Sequence, residues 1–150
     1  MKFKQLIIGA VVATFAATAL YAQATGTAAE AKALLEKAVA ALKANKSSAL
    51  ATFVKKDGGF IDRDLYVFCY NVSDGKFTAH PNEKLMGTDI KALKDPDGVM
   101  LGENIVKTAK EGSIGTVDYK FPKAAGGPPL PKQSYVTQVG DQGCGVGYYK

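Results

Sequence analysis

Near residue 60 the hydrophobic pattern of this chain changes period, and few folds accommodate both halves. Before that point Ala31, Leu34, Leu35, Ala38, Val39 and Leu42 recur at helical spacing, with Lys32, Glu36 and Lys43 on the other side. Thr27-Ala28-Ala29-Glu30 has the form of a capping box, so the spacing predicts a core-facing amphipathic helix of about 18 residues that starts after Thr27. Asn45-Lys46-Ser47-Ser48 interrupts it, Ala49 to Val54 reads as a further short turn, and Asp57-Gly58-Gly59 ends the helical region. Beyond Asp64 the residues Leu65-Tyr66-Val67-Phe68-Cys69-Tyr70-Asn71-Val72 are β-branched and aromatic, with apolar side chains at both parities. A strand of that composition is covered on both faces. The Asp74-Gly75 turn then returns the chain through Lys76 to His80 as the second strand of a hairpin, and Pro81, which has no N–H for a ladder, closes it.

Residues 81 to 97 are turn-rich, with Leu85, Met86, Ile90 and Leu93 as anchors. Asp97 is the expected cap of a second helix that buries Met100, Leu101, Ile105, Val106 and Ala109 and leaves at Gly112. Three strands follow, at Gly115 to Pro122, Lys132 to Val139 and Cys144 to Tyr149. A Pro/Gly-rich loop (Lys123 to Pro131) separates the first two, and a tight Gly140-Asp141-Gln142-Gly143 turn the last two. Five strands segregated from the helices place the chain in the α+β class, with a long N-terminal helix packed on an antiparallel sheet. The 81 to 112 segment is expected on the opposite face, where it encloses a pocket between sheet and linker.

A chain of 150 residues is one domain in length, and its ends narrow the picture. Met1-Lys2-Phe3-Lys4 is a basic start, Leu6 to Leu20 is uncharged and apolar, and Ala22-Gln23-Ala24 supplies small residues for cleavage. The run is shorter than the roughly 20 residues that cross a bilayer core, which favours a signal peptide over residues 1–24 and a periplasmic or secreted protein; an uncleaved anchor is the competing reading. Loss of Lys2 and Lys4 leaves 17 basic against 14 acidic residues, a field too weak to argue for nucleic acid. Export also bears on Cys69 and Cys144. An even pair in an oxidising compartment is a disulfide candidate, and two separate buried thiols are the alternative.

The composition offers no catalytic constellation. His80 is the single histidine and stands at a strand end before a proline, without a nucleophile motif. Two cysteines and one histidine do not make a multi-ligand metal site, and Asp95-Pro96-Asp97-Gly98 lacks the remaining oxygen ligands of a calcium loop. The glycines of Gly143-Cys144-Gly145-Val146-Gly147 precede no helix, so they lack the amide-lined terminus that holds phosphate. No enzyme activity, metal or cofactor is expected. What remains is a set of rings and one cation near the sheet: Tyr66, Phe68, Tyr70, Tyr119, Phe121, Lys132 and Tyr135. Such a set suits a small carboxylate or similar polar metabolite, and each member read alone is also ordinary core.

Several words of the sequence occur in an order shared with a known family. These are Asp64-Leu65-Tyr66-Val67-Phe68-Cys69-Tyr70; His80-Pro81-Asn82 with Leu85 and Gly87; Leu93-Lys94-Asp95-Pro96-Asp97-Gly98; Val117-Asp118-Tyr119-Lys120; Ser134-Tyr135-Val136; and Gly145-Val146-Gly147-Tyr148-Tyr149. From residue 25 to residue 150 the chain resembles an extracytoplasmic single Cache domain. The resemblance implies a PAS-like fold and a sensory role, with a small-ligand pocket on the sheet face opposite the long helix. Carried over, the pocket positions fall on Tyr119, Lys132 and Tyr135, and also on Tyr66 and His80. Because first and last strands are neighbours in a PAS-like sheet, the resemblance also implies that Cys69 and Cys144 meet across a ladder. The expected function is a periplasmic binding or sensing module for a short organic acid, free-standing because the sequence ends with its last strand, and presenting its ligand to a membrane sensor protein. The alternative is a protein-interaction or scaffolding domain without a metabolite.

Overall fold

The computed structural model describes residues 25–150, so the expected signal peptide lies outside the described residues. Helix α1 (Ala28–Ala44) begins at the capping box: the Glu30 N–H donates to the Thr27 hydroxyl at 3.2 Å, and the Thr27 N–H donates to the Glu30 carboxylate at 2.7 Å. Ala31, Leu35, Ala38 and Leu42 form its buried stripe. The expected four-residue interruption shrinks to one residue. Asn45, extended at φ −160°, stops α1, and its side chain accepts the Ser48 N–H at 3.0 Å to start helix α2 (Lys46–Phe53) at once. At the end of α2 Phe53 is fully buried with its ring 4.6 Å from that of Phe60, a burial that contributes about 2–3 kcal/mol.

Strand β1 (Ile61–Asp62) is a two-residue piece that turns back through Arg63 into β2 (Leu65–Asn71). The hairpin to β3 (Phe77–Ala79) forms as expected, with Gly75 taking the positive φ that its turn requires. The linker carries two short 3-10 turns, Glu83–Leu85 and Ile90–Ala92, and then helix α3 (Leu101–Thr108). Asp97 does not cap α3: its carboxylate pairs with Lys120 at 2.8 Å, and Met100 precedes the helix without a side-chain cap. Asp95 does the local ordering instead, with its carboxylate accepting the N–H groups of Asp97 and Val99 at 3.0 and 2.8 Å.

The chain ends in β4 (Gly115–Pro122), β5 (Pro129–Val139) and β6 (Gln142–Tyr149). Strand β5 starts three residues before the expected Lys132. Pro129 and Pro131 fit there because the β6 ladder begins at Lys132, and the Lys150 N–H beyond β6 needs only the Pro131 carbonyl, which accepts it at 3.0 Å. The sheet runs β3-β2-β6-β5-β4 with every strand pair antiparallel, and β1 joins the β3 side of β2. The first long strand and the last are therefore central neighbours. Cys69 and Cys144 stand directly opposite each other in the β2–β6 register and form a disulfide, so the alternative of two separate thiols falls away.

Strand alternation divides the core. Leu65, Val67, Cys69, Cys144 and Val146 face α1 and α2, while Phe68, Tyr70, Val117 and Val136 face the linker and α3. Ile90, Leu101 and Ile105 cover that second face, as the 81 to 112 segment was expected to do. Among the described residues no helix is long and apolar enough to cross a membrane.

Candidate functional site

The linker face of the sheet holds the site, and parity along each strand decides who belongs to it. On β4, Val117, Tyr119 and Phe121 point to this face; on β5, Lys132, Ser134 and Val136 do. Tyr119 and Lys132 are register partners, so their side chains leave the sheet side by side. The matching positions of β6 are Gly143, Gly145 and Gly147. A Cβ on Gly147 would stand 2.7 Å from Lys132 Cε, 2.7 Å from Ser134 Oγ and 2.9 Å from the Tyr119 hydroxyl. A Cβ on Gly143 would overlap the Tyr70 ring, and one on Gly145 would stand 2.5 Å from Phe68. The alternating glycines thus leave one face of β6 bare for rings and a lysine from its neighbours, while Cys144 and Val146 pack on the other.

Two neighbouring spaces result. The inner one has about 40 Å³ of room for solvent and lies between Tyr66, Phe68, His80, Tyr119 and Phe121 of the sheet side and Leu101 and Ile105 of α3. The outer one, about 290 Å³, is bordered by Asp64, Lys123, Lys132 and Tyr149, and shares Tyr66 and Phe121 with the inner one. Lys132 is 2% exposed. Its ammonium lies 4.6 Å from the centre of the Tyr149 ring, 4.9 Å from Tyr66 and 5.7 Å from Phe121, a three-sided aromatic cage. No hydrogen bond or salt bridge to a described residue accompanies those ring contacts. Burial pushes the Lys132 amine down to about 8; Asp64 counteracts this, and Lys123 adds to it.

The polar groups around the inner space are held neutral. Burial lowers His80 to about 4, and the nearby Lys132 pushes it the same way. The Asn82 N–H donates to His80 Nδ1 at 2.9 Å, which places the imidazole proton on Nε2 as a donor. Burial raises the Tyr66 hydroxyl to about 12, helped by Tyr149, and raises Tyr119 further. The Tyr119 hydroxyl shares a 2.8 Å hydrogen bond with Ser134 Oγ. The arrangement offers one desolvated cation and neutral donors to an anion, beside an apolar wall.

Of the five residues singled out from sequence, Tyr66, His80, Tyr119 and Lys132 come together here. Tyr135 does not. It is three positions from Lys132 on one strand, so it faces the helices, where it stacks on Tyr148 with ring centres 5.9 Å apart. Sequence reasoning missed Tyr149, Ser134 and the spacing role of Gly147; the period-2 glycines of β6 and the shared parity of Gly147 and Tyr149 were the available signals.

Comparison with known proteins agrees with this fold. The model of single Cache domain 2 matches residues 1–148. A methyl-accepting chemotaxis protein from Vibrio parahaemolyticus has a similar structure, with TM-score 0.65 and 26% identity over 81% of this chain and 86% of that one. A periplasmic sensor domain of a chemotaxis protein follows with TM-score 0.57 and 28% identity over 79% and 86%. A Cache chemosensory domain solved for its recognition of carboxylic acids gives 0.56 and 26% over 79% and 84%. The methyl-accepting chemotaxis protein McpP of Pseudomonas putida is 37% identical over 76 residues, which are 50% of this chain and 14% of the receptor's length. By its match over nearly the whole sequence, the chain belongs to the single Cache domain 2 family of sensory domains, with the PAS-like fold.

Proposed function

We propose that this chain is a non-enzymatic, periplasmic sensing module that binds a short carboxylic acid and reports it to a membrane sensor. The observation that carries the reading is Lys132, a residue 2% exposed whose ammonium has rings on three sides and no anion hydrogen-bonded to it. A buried charge without a hydrogen-bonded partner is costly, and an incoming carboxylate that hydrogen-bonds the ammonium offsets that cost. The ligand's carboxylate belongs on Lys132 with the Tyr66 and Tyr119 hydroxyls and His80 Nε2–H as neutral donors, and its carbon end belongs in the apolar inner space. At about 40 Å³ that space suits a tail of very few carbons. Tyr135 has no part in the site. A carboxylic-acid-binding Cache domain among the structural relatives supports the ligand class, and the 1–24 leader read from sequence supports export.

Calorimetric titration against short mono- and dicarboxylates, paired with thermal melting, tests the reading. Saturation at a hundred times the dissociation constant should stabilise the fold by about 2.7 kcal/mol. Silence across the whole panel in both measurements would sink it. The narrowness of the inner space favours a second reading, an interaction domain whose pocket is filled by its own rings; co-purification with a membrane partner regardless of added acids would support that one.

A further inference from the structure

Asp64 borders the outer space beside Lys123 and Lys132, and it is the only acid among the described residues that line it. Its two oxygens serve different parts of the molecule. Oδ1 accepts the Gly26 N–H at 2.6 Å. Oδ2 is buried without a hydrogen bond and has only the Lys123 ammonium, 3.6 Å away. Gly26 is wedged at this point, because a Cβ there would overlap the Leu65 side chain. The neighbouring Arg63 tightens the same grip: it donates to the Thr25 carbonyl at 3.1 Å and pairs with Glu30 at 2.8 Å. Those contacts hold Arg63 at φ +56°, a backbone region unusual for a long side chain. The Arg63-Asp64 turn therefore ties residues 25–30, the entry to α1, to the rim of the pocket.

We propose that Asp64 is the internal counter-ion of the pocket lysines and couples arrival of a carboxylate to the backbone at Gly26, making Asp64 a positioning residue for the sensing function. The inference rests on the reading that Lys132 takes the ligand's carboxylate. In the empty pocket the field of Lys123 and Lys132 draws charge on Asp64 toward Oδ2. A carboxylate on Lys132 neutralises that cation and sets a like charge beside Asp64. Asp64 then gives more of its charge to its hydrogen-bond donor, the Gly26 N–H, and the tether to α1 strengthens. The same competition sets an affinity penalty, since the ligand has to displace the influence of a resident anion.

The test is the amide resonance of Gly26 in the mature protein, followed by proton–nitrogen NMR in wild type, K132M, D64N and the double variant, each alone and titrated with sodium propionate. Met fills the aromatic cage as well as Lys does, and the amide oxygen that D64N introduces can still accept the Gly26 N–H, so all variants should keep the fold; unchanged spectra away from the site check this. The expected results are a downfield move of the Gly26 proton in K132M without any ligand, a move of the same sign in wild type on propionate binding, and loss of both responses in the D64N background. D64N should also bind propionate more tightly, by roughly tenfold, the equivalent of about 1.4 kcal/mol. A Gly26 resonance indifferent to K132M, or weaker propionate binding in D64N, overturns the coupling. A Gly26 response to K132M with no propionate binding in any protein upholds the coupling and overturns the carboxylate reading, so the two failures are separable.

Discussion

The Lys132 ammonium stands 4.6 Å from the centre of the Tyr149 ring because Gly147, two residues before Tyr149, puts no Cβ in its way. A neighbouring strand donates the space and the lysine fills it. That trade explains how a sheet whose two faces are both covered keeps a cation inside: ring quadrupoles offset part of the lost hydration.

K132M should separate binding from folding. The substitution removes a buried charge and keeps the length of the side chain, while Lys123 at 3.6 Å still pairs with Asp64, so the domain should melt higher, by about 1 kcal/mol in stability, since hydrophobic replacement of buried charge is often stabilising. Acid binding should fall by roughly a hundredfold, the order expected when a charge-assisted hydrogen bond of about 3 kcal/mol is lost. Calorimetry and melting on the same samples read both; a variant that melts lower and still binds would refute the role given to Lys132.

Two titrations should appear in the pH dependence. Lys132 is held at about 8 in the fold, below its ordinary 10.5, so between those values the unfolded chain holds the extra proton and stability rises with pH. Ligand binding follows the opposite course, weakening above pH 8 as the ammonium that meets the carboxylate is lost. His80 is held at about 4, below 6.5, so its contribution is present above pH 6.5 and is lost as the pH falls toward 4. Melting from about pH 4 to 10 in wild type, K132M and H80Q resolves them. Each variant should lose only its own slope, and a wild-type slope that persists in the matching variant would contradict the assignment.

The physical reason that some of this was legible in sequence and some was not is range. The capping box at Thr27, the Asp74-Gly75 hairpin and the α1 stripe depend on neighbours within four residues, and all form as spacing predicts. Asp97 misled because Lys120, some twenty residues on and close only in the folded chain, competes for its carboxylate. The prolines of β5 misled for the same reason: whether proline is tolerated depends on which strand edge is open, a fact of the sheet and not of the segment. In the site, the rings and single cation of the strands pointed to Tyr66, Tyr119 and Lys132, and the family resemblance added His80. Alternation alone separates Tyr135 from Lys132 on β5.

The disulfide should matter chiefly for stability. Cys69 and Cys144 are completely buried and close a loop of 75 residues in sequence separation. A crosslink over that span is expected to contribute about 2–4 kcal/mol by restricting the unfolded chain. The double variant C69A/C144A should therefore melt roughly 10 °C lower, and native protein should resist alkylation until it is unfolded in reductant. Equal melting of the two proteins would remove the crosslink from the account of stability.

Parity along β4 and β5 yields the sharpest prediction about the site, because two tyrosines of similar chemistry lie on opposite faces of one sheet. Tyr119 borders the inner space and shares its hydroxyl with Ser134, whereas Tyr135 stacks on Tyr148 under the helices. Y119F removes a donor from the pocket and strands Ser134 without that partner, so affinity for a bound acid should drop by about tenfold, the effect of one hydrogen bond of about 1.4 kcal/mol. Y135F keeps the ring that the stack needs and removes a hydroxyl remote from the ligand, so affinity should stay at the wild-type value. Parallel titrations decide the matter: an affinity loss in Y135F equal to that in Y119F would mean that the ligand does not sit on the linker face, since no single position on this sheet touches both hydroxyls.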